Sequence, residues 1–176
     1  RGLFNAPLGN HALAHAIRIA RAGEVISVRG VHPGFKVGSA NQGDADNAPA
    51  IVRPNLEPQP LLAIVGDPDA PERPRIEGGI QIAGTPNPDR GGIDDLTLAG
   101  LDLLNGRNDK FNVIVTQTTR TGRLAIKHCR LISLDPTAWA GFGKMSAIRP
   151  HGNVEDLDVT DNEFSEAQEH AAVAAA

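Results

Sequence analysis

The chain has 176 residues, 40% of them apolar and 22% charged, which suits one folded domain and excludes a globally disordered chain. Its net charge is −4 and no Lys/Arg run exceeds two residues, so a nucleic-acid partner, which needs a basic face, is not expected. No stretch reaches the ~18 apolar residues of a membrane span, and the lone Cys129 cannot form an intrachain disulfide.

Residues 10–23 read as an amphipathic helix. Asn10 is a suitable N-cap, Leu13, Ala16, Ile17 and Ala20 share one face, and Gly23 closes the segment. A β-branched run follows at residues 25–31. Residues 33–60 are rich in Gly, Asn, Asp and Pro, with one short strand expected at 50–52. Further strands are expected at 61–65, 75–77, 80–83, 96–104, 112–116, 124–132, 146–148 and 157–164, separated by turn residues. The abundance of Gly (19) and Pro (13) fits such a chain of short strands. Cys129 falls inside a strand-like run, as a small buried hydrophobe would.

The most informative feature is a repeat. Leu96-Thr-Leu98-Ala-Gly-Leu101-Asp-Leu103 aligns with Leu124-Ala-Ile126-Lys-His-Cys129-Arg-Leu131 and with Leu157-Asp-Val159-Thr-Asp-Asn162-Glu-Phe164. Leu124 lies 28 residues after Leu96, and Leu157 lies 33 residues after Leu124. Ile26-x-Val28-x-x-Val31 reads as a weaker first copy. Self-similarity of this length signals a solenoid, in which each unit buries its apolar face on the next. In each copy the first and third residues point inward from a strand of period two. Two residues then turn a corner, the sixth points inward there, and the eighth belongs to the next strand.

Two solenoids fit. A leucine-rich repeat shows a similar pattern, with Ile93 and Val154 at its upstream apolar position. The segments between copies, however, hold further strands instead of helices. Three strands per turn favour an all-β, right-handed parallel β-helix with an N-terminal capping α-helix. Residues 1–23 would form the leading segment and cap, and residues 24–176 the coils, continuing beyond the C-terminus.

Residues 12–31, Ala-Leu-Ala-His-Ala-Ile-Arg-Ile-Ala-Arg-Ala-Gly-Glu-Val-Ile-Ser-Val-Arg-Gly-Val, resemble the opening of pectate-lyase-like right-handed β-helix proteins, in which an amphipathic helix covers the first coil. Ala22 stands where Pro is usual and Glu24 where Asp is usual. Residues 61–84 and 154–165 resemble later coils of that superfamily. The resemblance implies a secreted or cell-surface protein directed at polysaccharide, such as a lyase or epimerase acting on uronic-acid glycan. The same superfamily also holds non-catalytic structural and adhesive modules, and a catalytically incomplete fragment of a longer protein is the other alternative. A coil stack without a C-terminal cap also leaves end-to-end self-association open.

Candidate site residues follow from that chemistry. Lyases need a base for the C5 proton and cations to neutralise the uronate, and Ca²⁺ held by Asp/Glu is one such cation. Lys127-His128-Cys129 echoes a lyase coil that reads Asp-His-Cys, with Lys127 in place of the Asp that helps to bind calcium. Lys127, Arg149 and His151 are the catalytic candidates. Trp139, Phe142 and Lys144 are the substrate-binding candidates, two aromatics for stacking on sugar rings and an ammonium for a carboxylate. Asp135 and Asp158 are the candidate metal oxygens. For each the plainer alternative is a solvated strand residue, an aromatic packed on the flank, or an acidic corner.

Overall fold

The computed structural model describes residues 3–5, 12–20, 23–37, 50–51, 62–82, 93–105, 112–115, 120–133, 147–150 and 153–166. In chain order the elements are β1 (Leu3–Asn5), α1 (Ala12–Ile19), β2 (Val25–Val28), β3 (Val31–Val37), β4 (Ala50–Ile51), β5 (Leu62–Gly66) and β6 (Arg75–Ile82). These are followed by β7 (Ile93–Ala99), β8 (Asp102–Leu104), β9 (Val113–Val115), β10 (Arg120–Lys127), β11 (Arg130–Ser133), β12 (Ile148–Pro150), β13 (Asn153–Thr160) and β14 (Glu163–Glu166). Apart from α1, every described element is a strand, and each strand pairing is parallel.

The strands make two sheets. The first runs in the order β1-β2-β5-β7-β10-β13. The second runs β12-β9-β6-β8-β11-β14, with β3 beside β6 and β4 beside β3. The second sheet has two limbs, because β6 bends at Gly78-Gly79. Residues 75–77 pair with β8, whereas residues 80–82 pair with β9. β3 follows the same bend, with a register irregularity between Pro33 and Phe35. The sequence expectation of two strands, at 75–77 and 80–83, thus becomes one strand serving both limbs.

The corner after each first-sheet strand follows from local chemistry. Gly100, His128 and Asp161 occupy the same repeat position and take φ of +66°, +51° and +54°. Left-handed backbone favours Gly, and His and Asp are among the residues that tolerate it. The next residue then turns inward: Leu101 and Cys129 are buried. Asn162 uses the same position differently. Its Oδ1 accepts from the Cys129 N–H at 2.9 Å and its Nδ2 donates to the Ile126 carbonyl at 2.6 Å. The corner backbone is thereby satisfied by the layer that follows.

The core lies between the inner faces of the sheets. Leu124 pairs in register with Leu96 on one side and Leu157 on the other. The neighbouring row is Ile26, Ile64, Leu98, Ile126 and Val159. Ile26, Ile64, Leu96, Leu98, Leu124 and Ile126 are all fully buried, and each such side chain contributes about 1.5–3 kcal/mol of hydrophobic stabilisation. Leu13, Ala16, Ile17 and Ala20 of the α1 segment join the same core, as the apolar stripe predicts. Burial also pushes the Cys129 thiol up from its ordinary pKa, in keeping with an inert core cysteine.

The weak first copy of the repeat is misaligned in the sequence reading. Register places Ile26 beside Ile64 and hence level with Leu98, two residues later than the pattern suggests. Val31, expected to point inward, is 58% exposed, and His32 occupies the inward slot instead. His32 lies level with Ile76, Leu103, Leu131 and Phe164. Its Nε2 sits 2.9 Å from the Arg29 carbonyl, and its Nδ1 has no partner among the described residues.

Candidate functional site

The alternation that buries Leu96, Leu98, Leu124 and Ile126 sends their neighbours to the outer face of the first sheet. Three register rows result. Asp95, Arg123 and Asp156 form one row, and Val25, Ala63, Thr97, Ala125 and Asp158 the next. Ser27, Val65, Ala99, Lys127 and Thr160 form the third. The middle row is small from Val25 to Ala125, and its partly exposed members Val25, Ala63 and Thr97 make a low strip across three strands, whereas Ala125 is covered. Parallel strands lie about 4.8 Å apart, so the strip is roughly 10 Å long. At its early end an open hollow of about 220 Å³ is bordered by Glu24, Val25, Ala63, Asp95 and Thr97.

The other end of the strip is charged. Lys127 Nζ lies 2.6 Å from Asp158 Oδ2. Arg123 approaches the same oxygen through Nη2 at 3.3 Å, Asp156 through Nε at 3.6 Å, and Asp95 through Nη1 at 3.8 Å. Two cations thus face three carboxylates, with Ala125 fully buried in the middle row between Arg123 and Lys127. The hydrogen bond from Lys127, with a further one from Arg123, holds the Asp158 carboxyl below the usual carboxylate range. A carboxylate with a depressed folded pKa contributes stability above its unfolded pKa and loses it as pH falls through the folded value. The urea midpoint of the wild type is therefore expected to drop below about pH 4. Asp158→Asn removes part of that acid-side drop, and a urea titration series between pH 2 and 6 measures it.

A second charged cluster sits at the corner beyond Lys127. Asp102, with a side chain only 3% exposed, takes a two-point contact from Arg130: Nε donates to Oδ1 at 2.7 Å and Nη2 to Oδ2. Arg73 Nε is 3.9 Å from Asp102 Oδ1, while its Nη1 donates to the His128 carbonyl at 3.2 Å. Arg75, Asp102, Arg130 and Glu163 share one register row on the second sheet, alternating in charge from strand to strand. This cluster was missed from sequence, although Asp102, Arg130 and Glu163 hold the same place in the three aligned repeat copies.

Of the predicted site residues, the structure brings Lys127 and Asp158 together. Arg149 lies on β12, level with Ile114 in the second sheet, and not on the outer face that holds Lys127. Asp135, Trp139, Phe142, Lys144 and His151 lie outside the described residues. Asp158, the metal candidate among the described residues, is ion-paired. Its carboxylate faces an ammonium and a guanidinium, and no group of three His, Cys, Asp or Glu among the described residues is placed to hold an ion. Among the described residues no helix is long and apolar enough to cross a membrane. No protein-family model matches the chain, and neither does any curated protein or solved structure.

Proposed function

We propose that this chain is a right-handed parallel β-helix of the pectate-lyase-like kind, capped by the helix at 12–19, acting outside the cell on acidic polysaccharide. The outer face of the first sheet is the glycan surface. One observation carries this reading: a strip of small, partly exposed side chains crosses three strands and ends at Arg123 and Lys127. Such a strip admits an extended sugar chain, and the two cations are suited to uronate carboxylates, Arg123 as a planar two-point donor and Lys127 as a compact charge.

Lysis or C5 epimerisation of a uronate needs a base for the C5 proton. Lys127 is the nearest candidate on this face, and it serves only as a neutral amine released from Asp158. The 2.6 Å contact with Asp158 holds Lys127 in an ion pair. That contact supports a second reading, in which the same face binds glycan without cleaving it, as a structural or adhesive module does.

The test is a panel of galacturonate, mannuronate and guluronate polymers, with retention on immobilised glycan and ultraviolet absorbance of unsaturated products as the two readouts. Retention of the wild type on at least one polymer, weakened at least tenfold in Arg123→Ala/Lys127→Ala, supports the proposal. Absorbance growth assigns a lyase, and retention without it assigns the binding module. Absence of retention on every polymer, or equal retention by the double variant, rejects the glycan surface.

A further inference from the structure

The middle row of the outer face ends in a carboxylate. Val25, Ala63 and Thr97 are partly exposed, and the two members that follow are Ala125, fully buried, and Asp158. An alanine pointing away from the core is buried only where other outward side chains lie over it. The outward neighbours of Ala125 are Arg123 and Lys127 along β10 and Asp158 across the register on β13. All three meet at one atom. Asp158 Oδ2 lies 2.6 Å from Lys127 Nζ and 3.3 Å from Arg123 Nη2. The ion pair therefore bridges the row at its fourth strand, in line with the strip.

We propose that this bridge is an internal lid on the strip. Asp158 holds the position that a uronate carboxylate takes between the two cations, and its displacement uncovers Ala125. The strip then grows from about 10 Å to about 14 Å, one strand spacing more. This assignment rests on the glycan reading of the face and makes Asp158 a specificity-determining residue within it.

The exchange is balanced in charge, because one carboxylate leaves as another arrives. Among the described residues Lys127 is ion-paired with Asp158 alone, so its ammonium passes to the ligand. Arg123 keeps Asp156 at 3.6 Å and Asp95 at 3.8 Å throughout, which holds its guanidinium in place. The side chains of Asp158, Lys127 and Arg123 are 24%, 32% and 41% exposed, and ion pairs within reach of water are weak. A uronate carboxylate thus competes with Asp158 on similar terms. A neutral sugar brings no replacement for Asp158 and leaves the lid shut, so the bridge selects acidic over neutral polymers.

Two readouts on Asp158→Ala in the intact chain test this. The first is iodoacetamide labelling of Ala125→Cys in a Cys129→Ser background. Adding Asp158→Ala should speed it at least tenfold, whereas Thr97→Cys, already partly exposed, should label at one rate with or without Asp158. The second is retention on the uronate polymer that holds the wild type. Asp158→Ala should bind about tenfold more tightly, and Glu163→Ala, which removes an equal charge from the second sheet, should stay within twofold of the wild type. Equal labelling of position 125 with and without Asp158 overturns the lid even where the wild type binds glycan. Unchanged or weaker retention of Asp158→Ala also overturns it, as does an equal gain from Glu163→Ala, because net charge then suffices. Absence of retention for the wild type and Asp158→Ala alike rejects the glycan reading, and the lid with it.

Discussion

Gly34→Ala and Gly66→Ala are expected to be the most damaging glycine-to-alanine changes among the described residues. A Cβ on Gly66 would stand 2.2 Å from the Gly100 carbonyl oxygen, and one on Gly34 would stand 2.2 Å from the Gly79 oxygen and 2.6 Å from the Gly78 carbonyl carbon. All of these obstacles are backbone, so no side chain can rotate away. Relief requires neighbouring layers to separate, which breaks strand pairing on either side of the corner. A cost of about 3 kcal/mol is expected for each, at the upper end of overpacking effects. Gly23→Ala is the internal control. A Cβ there meets nothing within 4 Å, and the penalty is only that of φ +77° for an L-residue, about 1–2 kcal/mol. Urea unfolding of the three variants should therefore rank Gly23→Ala as the mildest, and a reversed order would contradict the close approach of the layers.

Asn112→Ala is expected to cost about 2–4 kcal/mol, from two hydrogen bonds lost in the core. Asn112 is fully buried, and its Nδ2 donates to the Leu103 carbonyl at 2.7 Å and the Ile132 carbonyl at 2.9 Å. Those carbonyls belong to successive strands of the second sheet, so one amide group ties two layers and anchors the approach to β9. Removing the amide takes a donor from both carbonyls, of which that of Ile132 keeps the Asn105 N–H at 3.3 Å. Asn112→Asp should be worse than Ala at neutral pH, because a carboxylate only accepts and would face two carbonyls. Its stability should recover partly as the pH falls and the carboxyl gains a proton to donate. Thermal unfolding of both variants between pH 4 and 7 checks this, and a pH-independent Asn112→Asp would argue against the contact.

The repeat is legible because inward positions of stacked layers must be apolar, and three copies carry that constraint at the first, third and eighth positions. Leu96, Leu124 and Leu157 therefore aligned from sequence as they pair in register. The first copy failed for a physical reason. A period of two cannot detect a two-residue slip, and Glu24, level with Leu62 by extension of the register, breaks the apolar signal where the copy begins. Residues 33–37 read as a turn because Pro33 and Gly34 look like breakers, whereas they mark the bend shared by β3 and β6. In the candidate site, Lys127 and Asp158 both stand out in the sequence, Asp158 as a candidate metal oxygen, and the structure pairs them. Sequence cannot separate a metal carboxylate from an ion-pair partner. Only register shows that Asp158 lies diagonally beside Lys127. The Asp102–Arg130 pair stands in the alignment as one column of opposite charges, which the apolar columns alone do not reveal.

Disulfide trapping across β5 and β7 tests most directly whether parallel layers stack in the register that builds the outer strip. In a Cys129→Ser background, Ala63→Cys/Thr97→Cys places two cysteines at paired positions, about 4.8 Å apart and inside the bonding range of roughly 4.4–6.8 Å. Val65→Cys/Thr97→Cys offsets them by one outward position along the strand. Under mild oxidation the first pair should cross-link readily and the second only slowly. Preferential trapping of the offset pair, or failure of both, would contradict the stacking and the strip built upon it.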